Sequence, residues 1–516
     1  MRLPRTVQDL ARSLDRAGAG AVAWAGPGGE LYYRLEGSPH RELEELAQTA
    51  ASPAELISSA LGWYTARRLQ GLGSSLTVVL EDGLDAPTLE VVDSLSRREA
   101  DVLLVLLDLG RRYIYAGWNP FNRESRGKDN LAPVLERLGV QYLGSTDGRR
   151  PERLQKDLEV ALERQGTRLL HVLGESKDRP DADTARAERV EQFYLARPPA
   201  RPAEPEPVQT RRTSLPETLA SNVLARLATE LSSDERVLVF WSRGEGPGSM
   251  IALGDRLVRR SLHGAVGEAR GAAHAGLYPV IVLSARSLPA GLGDLMEGID
   301  YATTLIVLEG GLNPHPHPAC LRDLSLLRCV PGLVVAAPAD EDEAMLLSRA
   351  AREWHHPLVL RFTSSPAVGM ATAAVPSASM EPGQGRRLRS GKDVSILSVG
   401  STVFPAVLAA EKLRSWGVDA GVYDCRFVSP MDGELLEEAA LSGRILAVEE
   451  HACQGGLATA VLEGLAQLGL HRVELQGLGL DDRALVEPQA TLEHFGLHAE
   501  GIACAARDLL GLGKRS

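Results

Sequence analysis

Short apolar runs recur along this chain, each followed by a stretch whose apolar residues return every three or four positions. The runs read as buried strands and the stretches as amphipathic helices. In the amino-terminal part, "LTVVLE" and "DVLLVLLDLG" bracket "DAPTLEVVDSLSRREA". Further on, "RVLVFW", "YPVIVLSA", "ATTLIVLEG" and "GLVVAAP" are separated by helix-like segments. Towards the carboxy terminus, "VSILSVG", "AGVYDCRF" and "GRILAVEE" alternate with "VFPAVLAAEKLRSWG" and "LATAVLEGLAQLG". Near-continuous apolar strands belong to parallel sheets covered by helices on both faces. The pattern predicts an α/β chain of three consecutive domains with mostly parallel sheets.

Two interruptions set the boundaries. From Glu175 to Thr213 the chain is charged and then proline-rich, ending "LARPPARPAEPEPVQTRRT", with too few apolar residues to bury a core. A second break, within Pro366 to Lys392, is rich in small residues, proline and glycine. The expected division is a first domain over 1–174, a connector over 175–213, a second domain over 214–365, a connector over 366–389 and a third domain over 390–516.

Composition narrows the function. A chain of 516 residues is too long for one core. Aromatic residues make up 4%, too few for the stacking platforms that hold single-stranded nucleic acid. A formal charge of −12 gives no attraction to nucleic acid or to an acidic membrane surface. The five cysteines show no metal-site spacing and suit a reducing compartment. No apolar run approaches bilayer length, and the first residues lack a signal-peptide core. A cytoplasmic protein without nucleic-acid or membrane partners is expected.

Candidate chemistry begins at "LTVVLEDGLDAPTLE", Leu76 to Glu90, where a strand ends in Glu81-Asp82-Gly83. In parallel α/β proteins ligands bind at the carboxyl ends of strands. Several longer segments then point the same way. "SPAELISSALGWYTARRLQG", "LERLGVQYLGSTDGRRPERLQKDLEVAL", "DLSLLRCVPGLVVAAPADEDEAMLL", "YDCRFVSPMDGELL" and "VEEHACQGGLATAVLEGL" resemble, in order, segments of 1-deoxy-D-xylulose-5-phosphate synthases of the transketolase-like, thiamine-diphosphate-dependent group. The first fifty or so residues match poorly, and the chain is shorter than that family usually is. The resemblance implies two thiamine-diphosphate-binding-type domains followed by a C-terminal transketolase domain. It also implies an intimate dimer, which could form with a second copy or with an active paralogue.

The resemblance assigns roles position by position. Thiamine diphosphate is held through Mg²⁺, a hard cation that takes oxygen ligands. Asp82 and Gly83 match the metal-binding and diphosphate-binding turn, with Asp82 as the metal ligand. Glu81, however, stands where the family has a glycine, and Leu109 where it has a ligating asparagine. Two family histidines fall at Ser52 and Arg149, and neither side chain shuttles protons near neutral pH. The glutamate that activates the aminopyrimidine aligns with Gly267. Glu268 is the catalytic candidate one residue later, a slip that turns a helical side chain by about 100°. "SARS", Ser284 to Ser287, replaces an aromatic segment. One phosphate-binding arginine becomes Gly310 and another Ser364, while Arg361 is kept as the substrate-binding candidate. In "NPHPHPAC", His315 and His317 could offer an imidazole, and His317 is the second catalytic candidate. Scaffold segments stay readable while cofactor and substrate positions are replaced in many separate places. The leading expectation is a transketolase-fold protein, weak or inactive as a synthase, that acts as a structural or regulatory partner. The alternative is an active thiamine-diphosphate-dependent transferase joining pyruvate to D-glyceraldehyde 3-phosphate, or a related carboligase.

Overall fold

The computed structural model describes residues 5–25, 52–174, 219–364 and 380–513, apart from 18, 20, 73–74, 82–83, 85, 97–99, 109–130, 243–247, 300–301, 314–316, 355 and 487–490. The described residues form three sheets, and apart from two strand pairs all the pairings among them are parallel. The chain divides into two compact units. The first holds Met1–Thr210 with Gly267–Leu277, and the second holds Arg211–Val266 with Tyr278–Ser516.

The first unit is built on β1 (Ala21–Ala25), β2 (Leu76–Glu81), β3 (Val102–Asp108), β4 (Gln141–Asp147) and β5 (Arg168–Leu173), in the order β1-β2-β3-β5-β4. Every residue of β2 and β3 is buried, which is why both strands appear in the sequence as unbroken apolar runs. One face, through Val78, Leu80, Leu104 and Leu106, packs with Leu56, Ile57 and Trp63 of the Pro53–Leu69 helix. The other, through Val79, Leu103, Val105 and Leu107, packs with Leu10 and Leu14 of the Arg5–Arg16 helix and with Leu154 and Leu158.

The Leu262–His274 helix passes from one unit to the other at Gly267. Its distal part lies against the Pro53–Leu69 helix with almost nothing between the backbones. A Cβ on Gly62 would stand 1.9 Å from the Glu268 carbonyl oxygen, and one on Gly271 only 1.7 Å from the Ser59 carbonyl oxygen. A Cβ on Gly267 would stand 2.6 Å from Ser58 Cβ. Three glycines therefore set this crossing. Arg270 pairs with Glu55, and Gln70 donates to the Ala275 carbonyl at 2.9 Å, fixing its register.

In the second unit, β6 (Val237–Ser242), β7 (Leu257–Arg259), β8 (Tyr278–Ser284), β9 (Thr304–Gly310), β10 (Val334–Ala336), β11 (Leu358–Thr363) and β15 (Phe427–Ser429) form a sheet in the order β15-β10-β11-β9-β8-β6-β7. Its edge strand, β15 (Phe427–Ser429), comes from far along the chain and pairs antiparallel with β10. The last sheet contains β12 (Arg386–Arg389), β13 (Val394–Ser398), β14 (Ala420–Asp424), β16 (Arg444–Ala452) and β17 (Glu474–Leu480), in the order β12-β14-β13-β16-β17.

Two features depart from the sequence reading. Residues 380–389, placed in the second connector, are folded. Trp354 Nε1 donates to the Met380 carbonyl at 2.8 Å, and β12 pairs antiparallel with β14. "RRLR" has no apolar alternation, so its strand is set by the neighbouring edge and is invisible locally. "YDCRFVS" contributes to two sheets, because Arg426 turns the chain with φ 59° between β14 and β15. The first connector, 175–213, lies outside the described residues.

Candidate functional site

Asp82, Gly83 and Leu109 lie outside the described residues. Their neighbours are placed. Glu81, the last residue of β2, is buried and accepts a hydrogen bond from Trp24 Nε1 at 3.0 Å. Asp108 ends β3 and stands 3.5 Å from His171 Nε2, both side chains buried. Tyr142 Oη lies 3.4 Å from His171 Nδ1. Sequence reasoning missed this Asp108–His171–Tyr142 line. The available signal was a histidine inside the otherwise apolar run "RLLHVL". Ser52 caps the Pro53–Leu69 helix, accepting from the Glu55 amide at 3.2 Å. Arg149 folds back on Asp147 at 2.8 Å, and this contact holds the Asp147 carboxyl below its usual range.

Glu268 is 2% exposed, on the part of its helix that belongs to the first unit. Gly267, one residue earlier, has no space for a side chain of any size, as the crossing with Ser58 requires.

The carboxyl edge of the second sheet is a polar lattice. Glu309 adopts φ 64°, a left-handed conformation that costs energy in a residue with a Cβ. Its carboxylate accepts from Ser284 Oγ and lies 3.9 Å from Arg286 Nε. Asn313 Nδ2 donates to Ser364 Oγ at 3.3 Å. His317 caps a four-residue helix, its Nδ1 accepting from the Ala319 amide at 3.2 Å. His315 lies outside the described residues.

Arg361, on β11, is 3% exposed. Its Nε donates to Asp323 Oδ2 at 2.8 Å, and one terminal nitrogen donates to Asp323 Oδ1 at 3.1 Å and to the Glu450 carbonyl at 2.9 Å. Burial works against the guanidinium charge, but Asp323 outweighs it and holds the group above its ordinary value. A Cβ on Gly310 would stand 2.1 Å from Asp323 Oδ2 and 2.5 Å from Arg361 Nε, so the ion pair fills the place of any side chain there. Around the pair lies a buried set that sequence reasoning did not assign. His451 sits 3.7 Å from Asp323 and 3.5 Å from Glu449. Glu449 accepts from the Leu457 and Ala458 amides at 2.6 and 2.9 Å, capping the Leu457–Gln467 helix. Glu450 accepts from the Leu312 amide and from Ser401 Oγ. Among the described residues, no three His, Cys, Asp or Glu side chains are grouped to hold a metal ion.

A family model described as transketolase, C-terminal domain, matches residues 383–502. The 1-deoxy-D-xylulose-5-phosphate synthase of Magnetococcus marinus is 37% identical over 259 residues, covering 48% of this chain and 41% of that protein. Those of Syntrophus aciditrophicus and an Anaeromyxobacter species are 29% and 30% identical, covering 74% and 73% of this chain. The chain spans only 60% and 61% of the length of these two relatives. Among solved structures, the transketolase of Campylobacter jejuni superposes with a TM-score of 0.65 at 13% identity, covering 98% of this chain and 94% of its own. The transketolase of Leishmania mexicana gives 0.66 at 14%, covering 97% and 90%. At such identities the two structures establish the fold alone.

Proposed function

We propose that this chain is a member of the transketolase superfamily, resembling 1-deoxy-D-xylulose-5-phosphate synthases, that keeps the scaffold of those enzymes while having lost most of their catalysis. It acts as a structural or regulatory partner, in a homodimer or joined to an active paralogue. The reading rests above all on Gly310. The resemblance puts a phosphate-binding arginine there, and the Arg361–Asp323 pair leaves no room even for a methyl group. Gly267, where the pyrimidine-activating glutamate belongs, is closed in the same way by Ser58. On this reading neither position supports thiamine diphosphate at its pyrimidine end.

Calorimetric titration of the purified protein with thiamine diphosphate and Mg²⁺ is expected to give no binding heat. Mixing with pyruvate and D-glyceraldehyde 3-phosphate is expected to release no CO₂. Magnesium-dependent binding that Asp82→Ala abolishes, together with two-carbon transfer, would overturn the proposal. The partner role predicts that the protein co-elutes with an active synthase and changes its turnover.

A second reading, an active thiamine-diphosphate-dependent transferase or related carboligase, draws on Glu268. This buried carboxyl belongs to the same compact unit as β2. On that reading Glu268→Gln abolishes turnover. On the first it changes stability only.

A further inference from the structure

β9 ends in a turn that its own residues do not favour. Glu309 and Gly311 both adopt left-handed backbone, at φ 64° and 71°, with Gly310 between them. Glycine takes this conformation freely, but a glutamate keeps it only where the surroundings over-determine it. Those surroundings include one side chain of the last sheet. Glu450, on β16, is 1% exposed. Its Oε1 accepts the Leu312 amide at 3.1 Å and its Oε2 accepts from Ser401 Oγ. Its carbonyl accepts from Arg361 on β11 at 2.9 Å. Gly311 lies so close that a Cβ there would stand 2.8 Å from both the Glu450 carbonyl oxygen and Oε1. Leu312 lies beyond the end of β9, so its amide takes a side-chain oxygen where a strand would offer a carbonyl.

The gripped segment leads directly to the carboxyl edge of the second sheet. Asn313 is buried, accepts from a terminal nitrogen of Arg286 at 3.4 Å and donates to Ser364 Oγ at 3.3 Å. Glu309, on the other side of the turn, lies 3.9 Å from Arg286 Nε. The two residues that flank Gly310, Gly311 and Leu312 therefore meet the same guanidinium, whose side chain is 35% exposed. Where the turn stands decides where Arg286 stands.

We propose that Glu450 is a positioning residue, which fixes the turn over Glu309–Asn313 from the last sheet and so places Arg286 at the carboxyl edge of the second. A carboxylate suits this task because its two oxygens accept from opposite sides at once. Ser401, in the turn after β13, holds one oxygen and so orients the other towards Leu312 before the turn is engaged. This role is independent of whether catalysis survives, since it concerns where a side chain stands and not turnover.

Modification of the full chain by phenylglyoxal, mapped to single arginines by mass spectrometry, reads the placement of Arg286. Glu450→Ala is expected to raise the rate at Arg286 about fivefold, the population shift that one lost hydrogen bond produces. Arg256 is expected to be unchanged. It is the internal control, because it belongs to the same unit and is tied to the carbonyls of Leu231, Ser232 and Asp234. Glu450→Gln keeps an acceptor for Leu312 and a hydrogen-bonding group for Ser401, and is expected to restore the wild-type rate. An unchanged Arg286 in the alanine variant, or a rise matched at Arg256, assigns Glu450 to packing alone and overturns the proposal. Hydrogen exchange of the Leu312 amide in the unmodified protein gives a second test that needs no variant. It is expected to be slower than in an unstructured peptide by about tenfold or more. Exchange at the unstructured rate also overturns the proposal.

Discussion

Gly271→Ala is expected to destabilise the first unit by about 3 kcal/mol, at the upper end of overpacking costs. Its Cβ would stand 1.7 Å from the Ser59 carbonyl oxygen and 2.7 Å from the Trp63 amide nitrogen. Both are backbone atoms of a helix whose buried face carries Leu56, Ile57 and Trp63, so neither can rotate aside. The helices must separate, which strips contacts from a close-packed core. The gain of about 1 kcal/mol in helix propensity on replacing glycine opposes this without cancelling it. Gly293→Ala is the matched control. It also lies inside a helix, meets nothing within 4 Å, and is expected to be neutral or stabilising by up to about 1 kcal/mol. Urea unfolding followed by circular dichroism separates the two, since Gly271 lies in the first unit and Gly293 in the second. Equal midpoints for the two variants would show that the crossing is looser than these distances require.

Arg361→Leu is expected to cost the second unit about 4 kcal/mol, because it leaves Asp323 buried and uncompensated. Arg361→Leu combined with Asp323→Leu is expected to recover most of that loss, since replacing both members of a buried pair by apolar residues is often neutral. A double-mutant cycle in chemical denaturant measures the coupling. The same variant separates two roles for this arginine. A phosphate-binding side chain, once removed, weakens binding of a phosphorylated aldehyde and leaves stability nearly unchanged. A structural one does the reverse.

Strands were the most legible part of the fold. β2, β3, β6, β8 and β9 are apolar on both faces because helices cover both, and that double burial writes itself into the sequence as unbroken runs. β12 and β15 were not legible as elements of their sheets. Each is an edge strand placed by a distant partner, and local pattern carries no record of the partner. The site divided in a similar way. Sequence alone showed which family side chains are missing at Gly267 and Gly310. It did not show that the space they would occupy is filled, because that depends on Ser58, from a distant segment, in one case and on Asp323 and Arg361, from two later elements, in the other. Nor did it reveal that Arg361 is turned inward, since an arginine at a strand end reads the same whether it faces a ligand or an aspartate. Glu449, Glu450 and His451 were visible as "VEEHACQGG", but their partners Asp323, Ser401 and Leu312 come from three other segments.

The borrowed edge strand β15 bears on how the protein comes to be folded. When synthesis has reached residue 365, the sheet around β10 and β11 is one strand short, and β10 presents an open edge with unpaired amides and carbonyls. The strand that closes it emerges only after β12, β13 and β14 have been made. The second block is therefore not autonomous, and its sheet waits on a contact of long sequence separation, the kind that forms late. A fragment ending at residue 365 should accordingly be prone to associate through that edge, whereas one extended past Ser429 should stay dispersed. Light scattering of the two fragments at equal concentration would show the difference.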